Sequence, residues 1–98
     1  MSYPRSTKYK PEEIQLAAFA KALGHPARVA VLRYLAARPD CCFTEILNEL
    51  PIAQATVSQH LKALREAGLI KGCTDPPKVK YCVNMENLML AKKLISDL

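Results

Sequence analysis

Apolar residues recur along this chain at helical spacing, lose it once, and regain it. Ile14, Ala17, Ala18, Ala22 and Leu23 follow a helical period. Pro11-Glu12-Glu13 ahead of them suits a helix start: Pro forgoes no hydrogen bond in the first turn, and the acids meet the positive end of the dipole. Gly24 closes this segment. A second helix opens at His25-Pro26, carries Val29, Leu32, Leu35 and Ala36 on its buried stripe with Arg28, Arg33 and Arg38 off it, and stops at Pro39-Asp40. A third, short helix is expected from about Phe43 to Leu50, burying Ile46, Leu47 and Leu50, with Pro51 closing it. A fourth runs from about Ala53 to Ala67, with Val57, Leu61 and Leu64 as an i, i+4, i+7 series and Gly68 at its end.

The period then changes. Leu69 to Thr74 and Val79 to Val83 are short and β-prone, and Asp75-Pro76-Pro77-Lys78 between them is turn chemistry, which predicts one β-hairpin. From Met85 to Leu98 helical spacing returns with Leu88, Ala91, Leu94, Ile95 and Leu98, while Met89 and Leu90 widen the stripe beyond what one small core needs. Residues 1–10 show no apolar periodicity and read as an arm; residues 11–98 read as a single domain. The expected fold class is mainly α with a β-hairpin (α+β), in the order helix-helix-helix-helix-strand-strand-helix.

Charge narrows the function. Across 98 residues, 14 Lys and Arg face 9 Asp and Glu, a net charge of +5, and the pI is about 9.2. Such an excess favours an anionic partner, nucleic acid first. No apolar run approaches the roughly 18–20 residues of a membrane span, and the opening MSYPRSTKYKPEE lacks the apolar core of a signal peptide. The expected compartment is the cytoplasm, with no membrane partner.

A short helix, a tight turn and a longer helix rich in small polar residues is the helix-turn-helix pattern. The longer helix presents Gln54, Thr56, Ser58 and Gln59, short uncharged donors and acceptors suited to base edges in a major groove. No acid interrupts Gln54 to Arg65, where one would meet phosphate repulsion. Lys62 and Arg65 suit the phosphate backbone, which supplies affinity rather than sequence choice. A hairpin directly after such a helix makes a wing, so the fold is read as a winged helix-turn-helix. Lys78 and Lys80 are placed on that wing to reach phosphates or a minor groove. An ordinary amphipathic helix with a solvated face explains the polarity but not the lack of acids, the short preceding helix or the hairpin. No Gly-rich phosphate loop and no defensible Ser–His or Cys–His spacing is present, which argues against an enzyme.

The stretches KALGHPARVAVLRYL at 21–35 and QATVSQHLKALREAGLIK at 54–71, followed by the wing, resemble the ArsR/SmtB winged helix-turn-helix repressors. Leu23, Gly24, Pro26 and Arg28 match the opening motif; Ser58, His60, Leu61, Leu64, Gly68 and Leu69 match the recognition helix and its exit. The resemblance spans about residues 12–84. It implies a homodimer, joined through the first and last helices, that binds an inverted-repeat operator in double-stranded DNA and represses until an inducer binds. By the same resemblance Gln54, Ala55, Thr56, Ser58, Gln59 and His60 are DNA-contacting positions. A His60 at the DNA surface would titrate near neutral pH, so that acid tightens binding.

The inducer is addressed by the four cysteines, at 41, 42, 73 and 82. Arsenite- and cadmium-type sites of the family resemble Cys-x-Cys at the start of the third helix. Here Cys42-Phe43-Thr44 keeps the first cysteine and replaces the second by Thr44, which supplies no soft thiolate. The shifted pair Cys41-Cys42 is the remaining candidate for a thiophilic metal or metalloid ion, or for reactive sulfur, and needs a third thiolate from elsewhere. No other cofactor is implied. The zinc sites of the family's last helix use Asp and His, whereas this helix offers Glu86 and Asp97 without His. Cys73 and Cys82 face each other across the expected hairpin, either paired or packed as small hydrophobes. Two other readings stay open: a winged-helix protein–protein module, and a constitutive repressor whose cysteines are structural.

Overall fold

The computed structural model describes residues 8–38, 42–43, 50, 52–75 and 78–98. Its elements are α1 (Pro11–Leu23), α2 (Pro26–Ala36), β1 (Cys42–Phe43), α3 (Gln54–Glu66), β2 (Ile70–Asp75), β3 (Lys78–Val83) and α4 (Met85–Ser96). The architecture is mainly helical with a β-hairpin, as the periodicity predicts.

Local chemistry sets the helix starts. At α1 the Lys10 backbone N–H donates to Glu13 Oε1 at 2.8 Å, occupying a group that the helix cannot satisfy itself. At α2 the Ala27 N–H donates to His25 Nδ1 at 3.1 Å, so His25 is the N-cap. At α4 the Asn87 N–H donates to Asn84 Oδ1 at 3.1 Å. No side chain caps α3 at Ala53, and its first turn holds no acid.

One apolar core joins the four described helices to the hairpin. It comprises Phe19 and Ala22 of α1, Val31, Leu32 and Leu35 of α2, Val57, Leu61 and Leu64 of α3, Leu69 and Ile70 at the hairpin entrance, and Ala91 of α4. Two helix faces differ from the sequence expectation. Val29 and Ala36 are exposed, and Val31 takes their place in the core. On α1 the side chain that fills most space is Phe19, fully buried, which lies off the stripe drawn through Ile14 and Ala18.

The hairpin is the larger part of a three-stranded antiparallel sheet with β3 in the centre, ordered β1-β3-β2. Register pairs Cys42 with Tyr81 and Phe43 with Lys80 on one side of β3, and runs from Ile70–Val83 to Asp75–Lys78 on the other. A two-stranded hairpin alone is marginal in water; β1 pairs part of the edge of β3 that β2 leaves open. Phe43 is therefore a strand residue, not the first residue of the expected third helix. The rest of that helix, residues 44–49, lies outside the described residues, as do residues 1–7 of the arm.

The exit of α3 is fastened twice. Gly68 adopts φ +83°, the left-handed conformation that a Cβ disfavours. Its N–H donates to the Arg65 carbonyl, and the Leu69 N–H donates to the Leu64 carbonyl, both at 3.0 Å, completing a Schellman turn. The Gly68 carbonyl then accepts from Asn87 Nδ2 at 2.8 Å, and the Leu69 carbonyl accepts from the Asn84 N–H at 2.9 Å. A Cβ on Gly68 would stand 2.9 Å from Asn87 Nδ2. Gly68→Ala is expected to lose about 1–2 kcal/mol from the backbone conformation alone. In urea unfolding the midpoint should drop while the slope stays unchanged; an unaltered midpoint would contradict the geometry.

Candidate nucleic-acid interface

The inner side of α3 is fixed by Val57, Leu61 and Leu64, so the remaining positions are set by rotation around the helix. Ser58, Gln59, Lys62 and Arg65 are exposed and Thr56 is half-buried. Gln54 and Ala55 form the first turn. The outward surface is thus hydroxyl, amide and cation, on a helix whose uncapped N-terminus carries the positive end of its dipole. An anionic backbone is the complementary partner for such an end. Lys62 lies 4.0 Å from Glu66, both well exposed; a pair of that kind is weak and leaves the ammonium available to phosphate.

The wing adds cations. Lys78 opens β3 opposite Asp75, and Lys80 is half-buried between Cys73 of β2 and Phe43 of β1 in backbone register. Lys71, which the sequence reading did not single out, is exposed on β2.

His60 departs from expectation. It is only 4% exposed and so does not share the outward surface with Ser58 and Gln59. Its Nδ1 accepts a hydrogen bond from Arg28 Nε at 3.1 Å. Its ring lies against that of His25, centroids 4.6 Å apart and tilted by 53°. Its Nε2 is buried without a hydrogen-bond partner among the described residues, an arrangement that costs about 1–3 kcal/mol. Burial, then the neighbouring His25 and Arg28, hold its pKa below the usual histidine value of 6.5. The imidazole is therefore neutral near pH 7, and acid would not add an exposed positive charge at this position. Arg28 is the residue that sequence reasoning missed in this role. It stands 32 positions from His60, and no local spacing announces the pair.

Cysteine geometry is partly defined. Cys42 lies in β1 opposite Tyr81, and Cys82 is disulfide-bonded. Cys73 pairs with Lys80, and Cys82 with Lys71, so the two wing cysteines are offset diagonally rather than directly opposed. Cys41, the other half of the candidate Cys41-Cys42 metal pair, lies outside the described residues.

The last helix keeps an apolar surface. Met85, Met89, Leu90, Ile95 and Leu98 are exposed, while Ala91 is the residue it buries in the core. Among the described residues, no helix is long and apolar enough to cross a membrane.

Comparison with known proteins gives this geometry its setting. Residues 25–71 match the family model described as bacterial regulatory protein, arsR family. The chain is 32% identical over 78 residues to the HTH-type transcriptional regulator MJ1325 of Methanocaldococcus jannaschii, covering 80% of this chain and 88% of the relative. It is 32% identical over 72 residues to the HTH-type transcriptional regulator YgaV of Escherichia coli, covering 74% and 73%. Among solved structures, an ArsR-like transcriptional regulator from Rhodococcus sp. RHA1 superposes with a TM-score of 0.75 at 21% identity, over 87% of this chain and 79% of that one. These relatives are transcriptional regulators, and the geometry described here, a helix with a buried apolar side and a polar outward side free of acids from Gln54 to Arg65, followed by a basic wing, fits that class rather than an enzyme. The chain belongs to the ArsR family and is a DNA-binding transcriptional regulator with a winged helix-turn-helix fold.

Proposed function

We propose that the chain is a cytoplasmic homodimeric repressor that occupies an inverted-repeat operator and is released through thiol chemistry. The observation that carries the DNA half of this reading is the rotation of α3. Val57, Leu61 and Leu64 are buried, which leaves Ser58 and Gln59 free to meet base edges with Gln54, Ala55 and Thr56 on the leading turn. Lys62, Arg65, Lys78 and Lys80 meet phosphates. His60 is left out of the contact set, because it is buried.

The dimer half is supported by α4. Four exposed apolar residues on it, Met85, Met89, Leu90 and Ile95, with Leu98 just past its end, form a patch suited to a protein partner. α1 packs beside α4, so a partner seated on α4 also reaches α1. Two recognition helices related by a twofold axis would enter successive major grooves about 34 Å apart.

The sensing half is supported by the sheet. β1 carries Cys42 and shares its backbone hydrogen bonds with β3, which carries Lys80 and the disulfide-bonded Cys82. A thiophilic ion or reactive sulfur species captured at Cys41 and Cys42 would therefore act on the strand that holds the wing. The differential affinity of that inducer for the two forms supplies the coupling, typically about 1–3 kcal/mol.

Two experiments test these assignments. With a duplex from the protein's own upstream region, Gln59→Ala and Ser58→Ala are expected to weaken binding to the preferred sequence by about 1–3 kcal/mol where a bidentate contact is lost. Lys80→Ala should instead weaken all sequences alike and lower the salt slope by about one. Equal losses on specific and random DNA for Gln59→Ala would overturn its assignment to base edges. For sensing, the reduced protein on its operator is titrated with arsenite, cadmium and a persulfide donor. Release by one of them, abolished in the Cys41→Ser, Cys42→Ser double variant, is the expected outcome. Release that persists in the double variant would remove both residues from the mechanism.

A further inference from the structure

Arg28 and His60 tie the start of α2 to the middle of the helix that faces DNA. The guanidinium has donors and no acceptor, so the Nδ1 that receives its Nε–H at 3.1 Å presents a lone pair. His60 is thereby fixed as the neutral tautomer with its proton on Nε2. The bond lies on the inner side of α3, between the buried Val57 and Leu61 and beneath the exposed Ser58 and Gln59. It is a directional contact among apolar neighbours, which resist displacement but set rotation less sharply than a hydrogen bond does.

We propose that Arg28 is a positioning residue for DNA binding: it clamps neutral His60 and so fixes the rotation of α3, and protonation of His60 opens the clamp and weakens operator binding in acid. This rests on the reading of α3 as the DNA-facing helix. Protonation turns Nδ1 into a donor, which then faces the Arg28 donor with two positive charges at hydrogen-bond distance. His25, its ring 4.6 Å away, adds a third titratable group from the same end of α2. Of the charged groups around the same space as Arg28, Lys21 of α1 is also cationic, and Glu66 of α3 is an acid.

The clamp has somewhere to open. Arg28 lines a cavity of about 360 Å³ between α1, α2 and α3, together with Lys21 and Glu66. Alanines at 18, 22, 63 and 67 leave this space unfilled. A guanidinium repelled by imidazolium can swing into it toward the Glu66 carboxylate. Two arrangements thus compete for Arg28, one on His60 and one in the cavity, and the proton on His60 chooses between them. Native-state stability follows the same sign. It is fully present above pH 6.5 and declines as pH falls from there through the lowered pKa of His60, because the unfolded chain takes up the proton more readily.

The test uses the full-length protein and an operator duplex recovered by in vitro selection, with anisotropy measured from pH 7.5 to 5.5. Wild-type affinity is expected to fall by about tenfold for each pH unit of differential protonation. His60→Asn places an amide oxygen where Nδ1 stood, keeps an acceptor for Arg28 and cannot titrate. It should bind as wild type at pH 7.5 and lose the histidine-dependent fall. Arg28→Met should bind more weakly at pH 7.5 and move the midpoint of the remaining pH response upward, since a neighbouring positive charge is gone. Long-range ¹H–¹⁵N spectra of the imidazoles give a reading independent of DNA and of variant folding: at pH 7.5 His60 should show the Nε2–H tautomer. Superimposed pH profiles for wild type and His60→Asn, or an Nδ1–H or doubly protonated His60 at pH 7.5, would overturn the proposal. If Ser58→Ala and Gln59→Ala leave affinity unchanged, it is the DNA-facing assignment of α3 that fails, and the tautomer spectrum still decides the clamp.

Discussion

α3 has to be core on one side and ligand surface on the other, and the rest of the molecule is arranged around that division. Leu61 and Leu64 are almost wholly withdrawn from water, each worth about 1.5–3 kcal/mol of burial. α1 and α2 supply Phe19, Val31, Leu32 and Leu35 as the surface that receives them, and Leu69 and Ile70 extend it into the sheet. Because burial stabilises the helix, its outward residues are released from any structural duty. That freedom lets Ser58 and Gln59 be selected for what they bind. The same division explains the weak helix start. An acid or a capping hydroxyl at Ala53 would strengthen α3 but would occupy the N–H groups that its uncapped start leaves open to an anion.

Punctuation made most of the fold legible. Pro11 and Pro26 mark helix starts, Gly24 and Gly68 mark exits, and the Asp-Pro-Pro-Lys turn marks the hairpin. Those residues act through their own backbone chemistry and need no tertiary partner. What escaped depends on partners distant in sequence. β1 has only two residues, too few for any alternation, and its strand character comes from an edge of β3 nearly forty positions later. Val31 displaces Val29 because α2 is gripped from a direction that one helix cannot reveal.

His60 is a different kind of miss. It lies three residues after Val57 and four before Leu64, which places it on the buried side by simple helical arithmetic. Polarity and the family resemblance drew it outward. Arg28 reconciles the two, because a polar ring can sit among leucines when one nitrogen is answered. Of the candidate DNA-binding positions, those whose side chains the structure describes on α3 face outward or lie half-buried, His60 excepted. The cysteines are read less fully, since their chemistry depends on pairing across strands and register is not written in local sequence.

The double fastening at the end of α3 has a mechanical consequence. Gly68 and Leu69 are tied to Asn87 and Asn84, so the foot of α3 and the head of α4 move as one joint. From that joint α3 extends 13 residues, a rod about 20 Å long at 1.5 Å per residue. A tilt of about 10° at the foot carries Gln54 at the tip through roughly 3.5 Å, by the length of that rod. Hydrogen bonds to bases tolerate a spread of only about half an ångström. The joint is thus a lever with a large mechanical advantage: a small change in the seat of α4 displaces the far end of α3 by more than any hydrogen bond made there could follow.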